Sequence, residues 1–169
     1  LEMSLELSGG MKLLSVNNAF TPNLRVVPGA FIKLRDADGN IDENFDFQNI
    51  QYYGNYAKIT YKYNGIVFDI TADISGENNV RWTLEVVNMT DEQFRKGIIF
   101  PCVDCIDFGS FDENWYYIPK YQNICSNETI FMYEESAPSF PLQFMDVFSP
   151  DAQGGLCLST EERELVTRK

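Results

Sequence analysis

An all-β fold, an antiparallel β-sandwich, is predicted by three features of this sequence. Apolar and polar residues alternate over many short runs, as in Leu1-Glu2-Met3-Ser4-Leu5-Glu6-Leu7, and a period of two marks a strand with one covered face. Aromatic residues make up 14% of the chain, as 13 Phe, 9 Tyr and 2 Trp, and rings favour pleated, half-buried surfaces. Gly9-Gly10, Asp38-Gly39, Asn64-Gly65 and Gly154-Gly155 punctuate the runs as turn signals. A length of 169 residues suits a single domain, residues 1–169, and is short for two. Because the chain opens already in strand alternation, it reads as a piece of a longer protein, and its compartment is not legible.

Taken in order, the Leu1–Leu7 strand turns at Gly9-Gly10 and returns through Met11–Val16 as a hairpin. Residues 17–29, with Pro22 and Pro28, read as a loop, and Ala30–Arg35 as a short strand. Asp36-Ala37-Asp38-Gly39-Asn40-Ile41-Asp42 has alternate oxygen-bearing side chains like a calcium loop. Its glycine falls at the fourth position instead of the sixth, and Phe47 stands where a bidentate Glu is required, so a hairpin turn is expected. Three strands follow: Ala57–Tyr63, Ile66–Ile74 and Val80–Val87, with Ile50–Tyr53 before them. Asn64-Gly65 between two β-rich runs is the strongest hairpin signal in the chain. Val80, Trp82, Leu84 and Val86 share one face of the last strand. Thr90–Gly97 reads either as one capped helical turn or as a polar connection. Gly97–Val103 is an apolar strand with Pro101 at a bulge or edge. Asp107–Tyr121 reads as irregular, acidic and aromatic, and Ile130–Tyr133 as a further strand. Phe144–Phe148 and Leu156–Leu158 form a closing hairpin, Gly154-Gly155 supplying the left-handed positions of its return. Phe144, Asp146 and Phe148 share one face of it, Gln143, Met145 and Val147 the other.

Composition excludes several functions. Thirteen Lys and Arg oppose 25 Asp and Glu, a net charge of −12, which repels nucleic acid and anionic membranes. No apolar run approaches the roughly 20 residues of a membrane-spanning helix. The absence of histidine removes imidazole acid–base chemistry, Ser-His and Cys-His nucleophiles, and His-ligated metal. Of the cysteines, Cys102 and Cys105 have zinc-knuckle spacing, and Cys125 and Cys157 would complete four thiolates. Residues three apart on a strand point to opposite faces, however, so buried thiols packed as small hydrophobes are expected. A disulfide from Cys125 stays open on spacing alone. No metal site and no cofactor is expected.

Two places concentrate polar chemistry. Trp115, Tyr116, Tyr117 and Tyr121, beside Asp112, Glu113 and Asn114, form a candidate contact surface, for sugar faces stack on rings and hydroxyls bind carboxylates and amides. The same rings would equally serve a protein interface. Asp146 stands among apolar neighbours, which would raise its pKa if it were buried unpaired. Backbone N–H groups of a neighbouring loop satisfying it is the plainer expectation.

Trp82-Thr83-Leu84-Glu85-Val86-Val87-Asn88, Ile98-Ile99-Phe100-Pro101, Trp115-Tyr116-Tyr117-Ile118-Pro119 and the Phe144–Leu158 hairpin occur in this order. In that series, and in its Gly9-Gly10 opening, most of the chain resembles the galactose-mutarotase-like β-sandwich domains N-terminal to the catalytic domain of bacterial glycoside hydrolases. The resemblance implies a non-catalytic module whose partner is a downstream catalytic domain, with a carbohydrate as the other candidate ligand. It departs from the family in two ways: further strands normally follow, and the mutarotases of this fold use a histidine and a glutamate. An autonomous carbohydrate-binding module is the second reading, and a histidine-free sugar epimerase or lyase the third.

Overall fold

The computed structural model describes residues 2–17, 25–26, 28–74, 76, 79–103, 106–107, 113–118, 124–127, 144–151 and 153–159. They build an all-β, sandwich-like protein of antiparallel sheets, with no α-helix among them. No helix in this set is long and apolar enough to cross a membrane. The chain divides into two compact units, Leu1–Asn18 with Val26–Cys105, and Ala19–Arg25 with Ile106–Lys169.

In the first unit, strands β1 (Glu2–Glu6) and β2 (Lys12–Asn17) form the opening hairpin, with Glu6 opposite Lys12. After the two-residue β3 (Arg25–Val26) come β4 (Lys33–Arg35) and β5 (Ile41–Asp42), which pair with each other. The Asp36–Asn40 link is a hairpin turn, as expected, closed by Asp36, whose Oδ1 accepts from the backbone N–H groups of Asp38 at 3.0 Å and Asn40 at 2.8 Å. The expected Ala30–Arg35 strand is shorter, starting at Lys33, and Ala30 makes only an isolated bridge to Lys12.

The four-stranded sheet is an antiparallel meander of β6 (Asp46–Tyr53), β7 (Tyr56–Tyr63), β8 (Ile66–Asp73) and β9 (Arg81–Asn88). Asn64 and Gly65, with φ of 47° and 77°, carry the β7–β8 turn. Two successive left-handed residues match the twist of the flanking strands, which is why Asn-Gly is favoured there. Along β8, Ile66, Phe68, Ile70 and Ala72 are buried while the alternate residues are half-buried. The polar face is stitched as well: Asp69 accepts from Thr60 Oγ1 at 2.6 Å and pairs with Lys58 at 2.7 Å.

Residues around the short strands cover the apolar face. Phe31 lies 4.6 Å from the Trp82 ring and 5.5 Å from Phe100, and Phe45 packs edge-on to Phe68 at 5.2 Å. The buried Tyr61 donates its hydroxyl to the Leu7 carbonyl at 2.8 Å, which satisfies a polar tip that would otherwise be costly to bury. These contacts join two layers across one core, as in a sandwich.

Residues 90–96 are the polar connection, not the helical turn. Asn88 is the reason: its Oδ1 accepts from the Thr90 N–H and hydroxyl, and its Nδ2 donates to the Glu92 carbonyl, so backbone groups are met outside a helix. The apolar strand β10 (Gly97–Ile99) pairs with β4 and ends before Pro101.

In the second unit, after β11 (Ile106–Asp107), strands β12 (Trp115–Ile118), β13 (Ile124–Ser126), β14 (Phe144–Ser149) and β15 (Gly154–Ser159) form one antiparallel sheet in the order β13-β12-β14-β15. The stretch expected to be irregular thus contains an interior strand. Its rings come on three consecutive positions, Trp115, Tyr116 and Tyr117, without alternation, because β12 carries rings toward both faces. The closing hairpin is present, but its turn differs from expectation. Gln153 takes the left-handed conformation, φ 53°, while Gly154 and Gly155 belong to β15. Gly155 answers crowding instead: a Cβ there would stand 2.9 Å from the Phe148 Cβ and 3.1 Å from the Val147 carbonyl oxygen. The expected Ile130–Tyr133 strand lies outside the described residues.

Candidate functional site: an aromatic row around Asp146

Register places the candidate residues. Tyr117 stands opposite Cys125 on one side and Asp146 on the other, and Asp146 stands opposite Cys157. Directly opposed residues share a face, so Cys125, Tyr117, Asp146 and Cys157 form one row across four strands. Trp115 and Phe148 oppose each other two residues along, on the same face. Phe144 flanks the row from the other side, its ring stacked on Tyr117 at 5.7 Å with planes 21° apart. The rings of Trp115, Tyr117, Phe144 and Phe148 are half-buried, whereas Val147 and Ser149 on the reverse face are 6% and 2% exposed. One face of the sheet is therefore closed at these positions and the other half-open.

Of the sequence candidates, Trp115, Tyr117 and Asp146 are brought together. Tyr116 pairs with Val147 and so belongs to the opposite face. Glu113 is exposed just before β12, and its neighbour Asn114 is fully buried. Asp112 and Tyr121 lie outside the described residues, as do Phe108, Phe111 and Cys105. Phe148 and Phe144 join the site through the alternation along β14, whereas the pairing of Phe148 with Trp115 and the stacking of Phe144 on Tyr117 are long-range facts with no local signal.

Asp146 has little compensation for its setting. Desolvation raises its pKa above the ordinary carboxylate value, against one lowering contact, the backbone N–H of Val147. Apolar surroundings thus outweigh backbone satisfaction, contrary to the plainer sequence expectation. The pH consequence follows from the direction. The folded carboxyl binds its proton more tightly than the unfolded one, so stability falls as pH rises through this window. Replacing Asp146 by Asn should raise the melting temperature at pH 7. The gain should vanish below about pH 4, where the unfolded carboxyl is protonated too.

The cysteines correct another expectation. Cys125 and Cys157 are exposed and Cys102 is half-buried, and none of the three is in a disulfide. Cys125 and Cys157 sit on β13 and β15, which end the sheet and are flanked on one side only. Partial desolvation and the nearby Asp146 charge push the Cys157 thiol up, away from a reactive thiolate. Among the described residues, no three Cys, Asp or Glu side chains are grouped to hold a metal ion.

The first unit holds a polar cluster that sequence reasoning missed. Asp42 Oδ2 accepts from the Tyr63 hydroxyl at 2.6 Å and from Lys96 Nζ at 3.2 Å, and Lys96 also donates to the Tyr63 oxygen. The ammonium lies 4.8 Å from the centre of the Tyr63 ring. These residues are 21, 33 and 54 positions apart, so no local spacing announces them. The Tyr63 hydrogen bond first, then the Asn44 backbone N–H and Lys96, hold the Asp42 carboxyl well below the usual range. The stabilisation is present above the unfolded carboxyl's pKa and lost as pH falls through the folded one. Asp42→Asn should therefore lower the melting temperature at pH 7. Titration below about pH 4 should progressively remove the difference.

Set against family models, curated proteins and solved structures, the chain matches none of them.

Proposed function

We propose that this chain is a non-catalytic β-sandwich module of a bacterial glycoside hydrolase, which packs against the catalytic domain and helps to shape its carbohydrate cleft. The resemblance of the ordered motifs to galactose-mutarotase-like sandwich domains supplies the family. The half-open face bearing Trp115, Tyr117, Phe144 and Phe148 around Asp146 carries the contact role. Rings held by sheet pairing give large contact area at small entropic cost. Their half-burial leaves part of that area for a partner. A non-catalytic role is supported by the lack of histidine and by the row itself, in which Asp146 faces Tyr117 and Cys157 and no second carboxylate. Hydrolysis of a glycoside uses two carboxyl groups about 5–10 Å apart.

The test is a titration of the chain with the catalytic domain supplied separately, alongside an aryl-glycoside panel. Saturable association, without turnover by the chain alone, is expected. Turnover that disappears on changing Asp146 or Glu113 would replace this reading with the enzymatic one.

A further inference from the structure

Three segments of the first unit surround an open cavity of about 450 Å³: the Asp36–Asn40 turn, the Asn64-Gly65 turn and the 90–96 connection. That volume falls in the range of small-molecule sites, roughly 300–1,000 Å³. The walls are fixed by their own bonds. Asp36 Oδ2 takes the Asn40 amide at 2.9 Å, in addition to the two backbone N–H groups on Oδ1. Asn88 ties Thr90 and Glu92, and the Met89 N–H reaches the Gly65 carbonyl at 3.2 Å. Asp42 anchors Tyr63 and Lys96. The backbone of the three segments is thereby held, and a ligand would have to order only the exposed side chains that reach it.

Asp38, Asn64, Gln93 and Arg95 also line the cavity, and none of their side chains has a hydrogen bond or ion pair within the described residues. We infer that this cavity binds a neutral sugar residue, its hydroxyls held by those four side chains. Carboxylate, amide and guanidinium heads each offer two polar atoms in one plane, a match for adjacent hydroxyls. Nine of the twelve lining residues carry polar groups, while Ala37, Ile66 and Phe94 supply carbon surface for ring C–H groups. Charge argues against an anionic ligand: with Lys96 matched by Asp42, Asp36, Asp38 and Glu92 outnumber Arg95, and the chain's net charge of −12 acts in the same direction. The inference names a sugar subsite within the proposed carbohydrate context, and it is independent of any contact made through Trp115.

The probes are the methyl glycosides of glucose, galactose, mannose and xylose, with glucuronic acid and glucosamine as charged controls. They are titrated into the whole chain and followed by amide NMR. A saturable response to one or more neutral glycosides is expected, with shifts confined to residues 36–40, 64–65 and 90–96. The double variant Gln93→Ala/Arg95→Ala should weaken it by about tenfold or more without moving the melting temperature, and Trp115→Ala should leave it unchanged. No saturation up to about 50 mM, stronger binding of either charged sugar, or full binding by the double variant would overturn the assignment. Sugar binding lost in the double variant while domain association persists would separate this site from the contact face.

Discussion

Replacing Phe68 by Ala should remove about 3–5 kcal/mol of stability from the first unit, the usual cost of deleting a packed core ring. The ring is fully buried on β8, the interior strand that pairs with both β7 and β9. Phe45 meets it edge-on at 5.2 Å and Phe94 at 6.2 Å, so its loss empties a space bounded from the facing layer and from the 90–96 connection. Sheet hydrogen bonds on either side hold β8 in place, which limits collapse into the cavity and keeps the cost high. Chemical denaturation monitored by tryptophan fluorescence would measure it, because Trp82 lies in the neighbouring strand. A midpoint shift at constant slope is expected. A change smaller than about 1 kcal/mol would mean that the two layers are not packed through Phe68.

The first unit was legible where a residue answers to its immediate neighbours. Asn64-Gly65 announced the β7–β8 turn because only certain residues accept two left-handed conformations in succession. The alternation along β8 shows in its burial residue by residue. Phe31 was not legible as a hub. It precedes a three-residue strand, and its importance comes from Trp82 and Phe100, some 50 and 69 positions later. The Asp42–Tyr63–Lys96 cluster escaped for the same reason, since β5, β7 and the 90–96 connection must be brought together before it exists.

The second unit was harder because its glycines and rings carry two meanings. A Gly-Gly pair at a hairpin suggests left-handed backbone, yet Gly155 is a strand residue whose missing side chain admits Phe148. Consecutive rings at Trp115, Tyr116 and Tyr117 suggest a loop, yet they form an interior strand with rings on both faces. Asp146 was identified as a carboxylate in apolar company, and its raised pKa agrees. Its neighbours Tyr117 and Cys157 depend on register, which no single segment encodes.

Trp115 tests the contact role most directly. Its ring is half-buried, and its described cross-strand partner is Phe148. Such a pair is worth about 0.2–1 kcal/mol, so Trp115→Ala should lower the stability of the chain only modestly. A tryptophan at the centre of an interface carries much more, commonly 2 kcal/mol or above on truncation, equivalent to roughly 30-fold in affinity. The measurement is a titration of wild type and Trp115→Ala against the separate catalytic domain, with a thermal melt of each. The contact reading predicts association weakened about 30-fold or more, with a melting temperature close to wild type. A large fall in melting temperature, with docking unchanged per folded molecule, would place the ring in the core and contradict it.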